Sequence, residues 1–187
     1  MDLKKFLAPP EGHASPSSPN DHVVLSSRVR LARNLAGTAF PGRAKKAQRG
    51  EVCEAILPAV SAASAMRGGF SCPMGDLKAL EKQLLVERHL ISREHAAKNT
   101  GSGLVLSQDE SISVMINEED HLRMQALLPG LQISNAWTTI DQFDTQLEHG
   151  LDFAYSKKRG YLTACPTNLG TGIRVSAMLH LPGLVLS

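Results

Sequence analysis

At 187 residues, with 42% hydrophobic and 20% charged side chains, the chain has the size and composition of one soluble globular domain. Twenty basic against eighteen acidic side chains leave a net charge of +2. That balance excludes a general nucleic-acid or membrane-surface binder, so any basic function must rest on individually placed arginines. The chain has three cysteines, Cys53, Cys72 and Cys165, and no CxxC spacing, which argues against a disulfide framework or a zinc site and predicts a cytoplasmic protein. No apolar run reaches the ~20 residues of a membrane span, and the N-terminus lacks the apolar centre of a secretory signal.

Residues 1–20 are rich in Pro, Ser and Gly and read as a flexible lead-in, with a single domain over 21–187. Val23 to Leu31 reads as a strand. Its period of two puts Arg28 and Arg30 on one face and Val29 and Leu31 on the other. Guanidiniums side by side repel unless an anion lies between them, so the pair is either a solvated strand face or an anion site. Residues 43–66 predict a helix that Pro58 kinks or ends early. Cys72 is placed in a loop. Asp76 is the expected cap of a helix carrying Leu77, Leu80, Leu84 and Leu85 on one side, and Ser92 can cap another short helix.

Ser111 to Ile116 alternates as a strand. It is followed by Asn117-Glu118-Glu119-Asp120-His121 and then by Leu122, Met124 and Ala126 alternating with Arg123 and Gln125. This predicts a hairpin with three consecutive acids at its tip, either a solvated turn or a group of carboxylates whose repulsion raises one pKa, as a base requires. One long amphipathic helix is expected from Asn135 to Lys158, with Trp137 and Phe143 in the core and Gly160 as its stop. A short apolar run, Tyr161 to Ala164, then leads into Cys165-Pro166-Thr167-Asn168-Leu169-Gly170-Thr171-Gly172. An alternating strand (Ile173, Val175, Ala177, Leu179, Leu181) leads out. Taken alone, the glycines and threonines make a plain turn, and Cys165 is an ordinary strand-end thiol.

The strings together are more specific. Cys165 to Arg174 resembles the Cys-Pro-Ser/Thr-Asn-Leu-Gly-Thr-Gly-Leu/Ile-Arg signature of the phosphagen (guanidino) kinases. Ser26-Ser27-Arg28-Val29-Arg30 resembles their nucleotide-binding strand, and Asn117 to Arg123 their guanidine-handling motif. The chain is therefore identified as a member of that superfamily, on the protein-arginine kinase branch. Two departures from the small-substrate branch carry the finer assignment. No helical domain of about a hundred residues precedes Ser26, and Met178 stands where that branch usually has His. Against the family pattern the chain stops at Ser187, short of a further arginine segment and a further carboxylate, so it is expected to be C-terminally incomplete.

The resemblance implies an α+β fold, a mostly antiparallel sheet flanked by helices. It implies transfer of the γ-phosphoryl group of ATP to an arginine side chain of a protein, with Mg²⁺ held mainly by the nucleotide phosphates. Glu119 would be the catalytic carboxylate, and Glu118 and Asp120 would shape the loop or hold the substrate. Cys165 would be a thiol beside the guanidinium. Nucleotide binding would fall to Ser26, Ser27, Arg28, Val29, Arg30, His89, Arg123, Arg174, Val175, Ser176, Ala177 and Met178. By the same analogy the partners are arginine-bearing proteins, a zinc-binding activator protein and the Clp protease machinery, with a homodimer also compatible. No nucleic acid or membrane is expected. Two alternatives stay open, a catalytically incomplete nucleotide- or arginine-binding fragment and a small-guanidino phosphagen kinase. The chemistry fits the residue types: a guanidinium stays protonated with a pKa above ~12, so its phosphorylation needs a carboxylate clamp and base, and the donor phosphates need fixed positive charge.

Overall fold

The computed structural model describes residues 18–185; residues 1–17, most of the expected lead-in, lie outside the described residues. The main element is an antiparallel sheet in the order β2-β3-β4-β5-β1-β8. Its strands are β1 (Val24–Arg33), β2 (Phe70–Pro73), β3 (Gly103–Leu106), β4 (Ile112–Ile116), β5 (Leu122–Pro129) and β8 (Ile173–Leu179). The helices are α1 (Lys46–Ala62), α2 (Ala79–Glu87), α3 (Arg93–Ala96), α4 (Ile133–Glu148) and α5 (Pro182–Val185), and a two-stranded hairpin, β6 (Tyr155–Ser156) and β7 (Gly160–Tyr161), follows α4. This is the α+β arrangement expected. No helix among the described residues is long and apolar enough to cross a membrane.

The two faces of the sheet differ. Alternation along β1, β4 and β5 sends Val29, Leu31, Val114, Ile116, Leu122 and Met124 to one face, where α1 and α4 cover them through Ile56, Val60, Ile140 and Phe143 in one buried core. The opposite face changes character along the sheet. Over β2, β3 and β4 it is apolar, and Leu104, Leu106 and Met115 pack against Leu85, Leu90 and Ile91 from α2 and the turn after it. Over β5, β1 and β8 no helix among the described residues covers it, and the paired positions Arg30↔Arg174, Arg28↔Ser176 and Ala32↔Arg123 bring guanidiniums to that face. The antiparallel register places both members of each pair on one side, so four arginines from three strands converge.

Several local expectations are corrected. The helix expected over 43–66 runs from Lys46 to Ala62, with Pro58 inside it and a 3₁₀ turn at Ser64–Met66. Cys72 lies in β2, paired with Leu104, rather than in a loop. Asp76 ends a 3₁₀ turn instead of capping α2; the helix begins after Lys78, whose N–H donates to Glu81 Oε2 at 2.8 Å. Only Leu85 of the expected stripe is deeply buried, and Leu80 is 75% exposed, because α2 is too short to lay a whole stripe on the sheet. The helix predicted over 135–158 spans Ile133–Glu148, and the β6–β7 hairpin occupies its expected last turns.

Gly160 therefore serves a hairpin rather than a helix end. Its φ is +73°, and a Cβ there would lie 2.5 Å from the Gly170 carbonyl oxygen. Trp137 is 39% exposed, since α4 buries Ala136, Ile140, Phe143, Asp144 and Leu147, and the indole falls one position round from that stripe. The run Tyr161 to Ala164 contributes only Tyr161 to a strand, so the cysteine segment hangs between a short hairpin and β8.

Candidate functional site

The acidic hairpin tip is not a solvated turn. Glu118 is 5% exposed and Asp120 is 2% exposed, while Glu119 between them faces out. Asn117 adopts a left-handed φ of +57°, which an asparagine tolerates, and its Nδ2 donates to the carbonyls of Arg49 (2.8 Å) and Gly101 (2.7 Å). The tip is thereby pinned to the turn before β3 and to the start of α1.

Each acid has a different environment and hence a different capability. Glu118 Oε1 accepts from Arg123 Nη1 at 2.8 Å and from Ser92 Oγ at 2.7 Å, and its Oε2 accepts from the Glu119 N–H at 3.0 Å. Burial pushes the Glu118 carboxyl up, but the Arg123 guanidinium and these donors outweigh it and hold the group below the usual carboxylate range. Asp120 Oδ1 accepts from Asn34 Nδ2 and from the Ala164 N–H, both at 2.6 Å. Asn34 Oδ1 in turn accepts from the His121 N–H at 2.9 Å. Of the two roles left open for Asp120, this geometry fits shaping the loop: its carboxylate ties the acidic tip to the backbone next to Cys165. Among the described residues the Glu119 side chain carries no such ties. Partial burial, then the neighbouring Asp120 and Glu118 charges, raise its pKa. A raised, outward-facing carboxylate suits a base.

A cleft of about 80 Å³ joins these groups; Glu118, Glu119, Arg30, Arg123, Arg174 and Cys165 all line it. The Cys165 thiol is half-buried, and its Sγ lies 3.0 Å from Thr167 Oγ1. Pro166–Asn168 forms a 3₁₀ turn that presents it. A second cleft, of about 190 Å³, lies further along β1 and β8, and its walls include Ser26, Arg28, His89, Ser176, Ala177 and Met178. His89 reaches it from the corner after α2 with a left-handed φ of +59°. Its carbonyl is held there by Gln125 Nε2 at 2.7 Å. Most of the predicted residues thus fall into two adjoining clefts on one sheet face.

The structure does not bring Ser27, Val29 and Val175 to that face. Ser27 and Val29 are buried on the helix side, where Ser27 Oγ donates to the Gly130 carbonyl at 2.8 Å, and Val175 pairs with Val29. Period two forces this, because the string's alternate members must face away. A roomier cleft, about 810 Å³, lies elsewhere, lined by Glu148, His149, Asp152, Tyr155 and Tyr161 among others. None of its lining residues is an arginine, and Glu148 is engaged by the Tyr161 hydroxyl. Volume alone does not select the site; converging charge does.

The electrostatics of the arginine cluster point to an anion. Burial, and then Arg28, Arg123 and Arg174, bring the Arg30 guanidinium down to about 10. Arg28 is lowered by burial and then by Arg123 and Arg174. Arg30 Nε is buried without a hydrogen-bond partner, and among the described residues only Arg123 of these four arginines is ion-paired. Like charges held together with donors unspent are stabilised by a polyanion placed between them.

Three groups escaped the sequence reading. The sequence reads Ser92 only as a helix cap, and it carries no local signal for Asn34 or for the buried pairing of Arg33 with Asp144, Nη2 to Oδ2 at 2.6 Å. Asp144 shares the helical spacing of the α4 core positions, and a carboxylate on a buried stripe is the signal that could have found it.

Residues 51–187 match the family ATP:guanido phosphotransferase, C-terminal catalytic domain. The chain is 48% identical over 188 residues to the protein-arginine kinase of Halothermothrix orenii, covering 100% of this chain and 54% of that protein. It is 48% identical over 172 residues to the protein-arginine kinase of Pelotomaculum thermopropionicum, covering 90% and 48%. The chain thus spans about half the length of the curated relatives it matches. Among solved structures, the duplicated taurocyamine kinase from Schistosoma mansoni with bound transition state analog components superposes with a TM-score of 0.81 at 26% identity, over 97% of this chain and 26% of that one. Lombricine kinase superposes with a TM-score of 0.75 at 22% identity, over 99% and 58%, a likeness of fold alone.

Proposed function

Because the chain belongs to the ATP:guanido phosphotransferase family, we propose that it phosphorylates arginine side chains of proteins, moving the γ-phosphoryl group of ATP to a guanidinium nitrogen. The observation that carries this reading is the shared cleft: an outward, pKa-raised carboxylate, Glu119, stands with a thiol, Cys165, and three guanidiniums, Arg30, Arg123 and Arg174, around one small volume. Bound ATP would supply the phosphoryl group, with Mg²⁺ held mainly by its phosphates.

The residues present fit a nucleotide polyphosphate. Arg28, Arg30, Arg123 and Arg174 would hold the phosphates, since their mutual repulsion and the unpartnered Arg30 Nε leave donors free for them. Ser26, His89, Ser176, Ala177 and Met178 would line the place of the base and ribose. Ser27, Val29 and Val175 would support this strand pair from behind. Glu119 would accept a hydrogen bond from the acceptor guanidinium and take its proton as the nitrogen is phosphorylated. Cys165, set by Pro166–Asn168 and by the Asp120 tie to Ala164, would flank the guanidinium and fix its plane. Glu118 would hold Arg123. Residues 21–187 would belong to the catalytic domain, the acceptors would be arginine-bearing proteins, and three free thiols suit a reducing cytoplasm. An activator protein, the Clp protease machinery and a homodimer remain implied only by the family analogy.

A second reading, nucleotide binding without autonomous turnover, is favoured by the exposure of the edge strand β8. Val175, Met178 and Leu179, on its two faces, are 45%, 38% and 49% exposed, so among the described residues neither face of this strand is covered. The test is incubation of the chain with MgATP and an unfolded protein, followed by mass spectrometry for acid-labile phosphate on arginine. Phosphoarginine that vanishes in Glu119→Gln supports the kinase; MgADP binding without phosphoarginine supports the second reading; neither overturns both.

The arginine assignment has its own expected result. Arg28→Ala and Arg174→Ala each weaken MgADP binding roughly 10- to 100-fold, the effect of losing a hydrogen bond to a charged group. Glu119→Gln changes MgADP affinity less than about twofold, because Glu119 serves the acceptor rather than the phosphates. Calorimetric titration checks this, and equal affinities in all three variants would defeat the assignment.

A further inference from the structure

We propose that Ser92 is a positioning residue of the site: its hydroxyl fixes the Glu118 carboxylate and, through it, the Arg123 guanidinium. The inference rests on the reading above in one respect, that Arg123 serves a nucleotide.

Ser92 lies immediately before α3, 26 residues from Glu118 in sequence. Its Oγ accepts from the His95 N–H at 3.0 Å and donates to Glu118 Oε1 at 2.7 Å. A hydroxyl has one hydrogen and two lone pairs, so both bonds form at once. The first bond makes the second directional. Because the oxygen is anchored by the helix cap, its hydrogen is aimed at one point on the carboxylate.

The other partners of Glu118 are less fixed. Arg123 is long, and its side chain is 26% exposed, so it can follow the carboxylate if that group turns. The Glu119 N–H belongs to the next residue of the same hairpin tip, so it does not hold Glu118 against another element. Ser92 is the neutral, short, helix-anchored donor that sets where Oε1 sits, and Oε1 is the atom that Arg123 Nη1 also holds. The Glu118 side chain is 3% exposed, so water does not readily replace a lost donor. The charged and titratable groups around Glu118 are the Arg123 and Arg30 guanidiniums, the Glu119 carboxylate and the buried His95 ring.

The test uses the whole chain and two readouts: carbon-detected NMR titration of the Glu118 carboxyl without ligand, and MgADP affinity by calorimetry. Ser92→Ala removes both roles of the hydroxyl. Ser92→Gly removes the same hydroxyl but caps a helix nearly as well as serine, so it keeps the test alive if the alanine variant folds poorly. Ser92→Thr retains the hydroxyl. We expect alanine and glycine to move the Glu118 midpoint upward by roughly half to one pH unit, and to weaken MgADP roughly three- to tenfold, with threonine restoring both.

A purely capping role predicts lower thermal stability in the alanine variant, near wild-type stability in the glycine variant, and the Glu118 midpoint unmoved in the glycine variant, and that result overturns the proposal. A moved midpoint with unchanged MgADP affinity overturns its second half, the link to Arg123. If the wild-type chain binds no MgADP, the nucleotide reading falls, and the Glu118 midpoint alone decides whether Ser92 positions that carboxylate.

Discussion

Glu119→Gln is expected to lower phosphotransfer to arginine by about 10²–10⁴-fold, the contribution of a positioned general base, with the fold intact. An amide oxygen can still accept a hydrogen bond from a guanidinium, but it cannot carry away the proton that must leave as the N–P bond forms. The neighbouring acids cannot substitute. Glu118 is spent on Arg123, Ser92 and the Glu119 N–H, and Asp120 on Asn34 and Ala164. The pH dependence has a definite sign. The base acts ionised, so the rate falls as pH drops through the Glu119 pKa, and that pKa is raised by partial burial and by two like charges. The acid limb therefore lies above the range of an ordinary glutamate.

The same shift separates catalysis from stability. A carboxyl whose pKa is higher in the folded state favours folding while protonated and loses that contribution as pH rises through its folded value. At neutral pH the ionised Glu119 thus opposes the fold, and the neutral glutamine variant is expected to melt no lower than wild type. Initial rates across pH and thermal melts at pH 7 check both halves. Activity retained within about tenfold would remove Glu119 from its assigned role.

The arginine face was legible in the sequence because period two is a strong constraint. Once Val29 and Leu31 must be buried, Arg28 and Arg30 must face the other way, and the antiparallel register brings Arg174 and Ser176 beside them. The same arithmetic turns the side chains of Ser27, Val29, Val175 and Ala177, which pairs with Ser27, away from that face, although they share strings with residues on it. The acidic hairpin was legible as three adjacent carboxylates, but their division of labour was not. Which acid is buried depends on Asn34, 86 residues from Asp120, and on Ser92, and no local pattern encodes such distances. The overlong helix has a similar cause. Leu147, Leu151 and Ala154 keep helical spacing past Glu148, yet the chain turns there to form the long-range Leu35↔Phe153 bridge and, beside it, the local Tyr155↔Tyr161 hairpin.

Arg33→Ala is expected to destabilise the chain by about 3–5 kcal/mol, the cost of removing one partner of a buried ion pair. Arg33 is 3% exposed. Its Nε and Nη2 donate to Asp144 Oδ2 at 3.2 and 2.6 Å, and its Nη1 donates to the Ala32 and Thr171 carbonyls at 2.9 and 3.0 Å. Its guanidinium carbon also lies 3.6 Å from the centroid of the Tyr161 ring. One side chain thus joins α4, the end of β1, the β7 strand and the segment between Cys165 and β8. Gly172 is part of the fit, since a Cβ there would lie 2.5 Å from Arg33 Nη1. Burial raises the Asp144 pKa even with Arg33 beside it, so the carboxylate left behind is costly to keep ionised.

The deficit should shrink in acid. A folded-state pKa above the unfolded value gives stability that grows as pH falls and Asp144 takes up its proton. Pairing Arg33→Met with Asp144→Leu removes both charges and should recover most of the stability. It cannot recover the bond to the Thr171 carbonyl. The double variant is therefore expected to unfold in urea near wild type while Cys165 reacts faster with a thiol reagent, because the segment that presents it has lost its anchor. A loss below about 1 kcal/mol in Arg33→Ala, or Cys165 reactivity unchanged in the double variant, would show that the pair does not hold this segment.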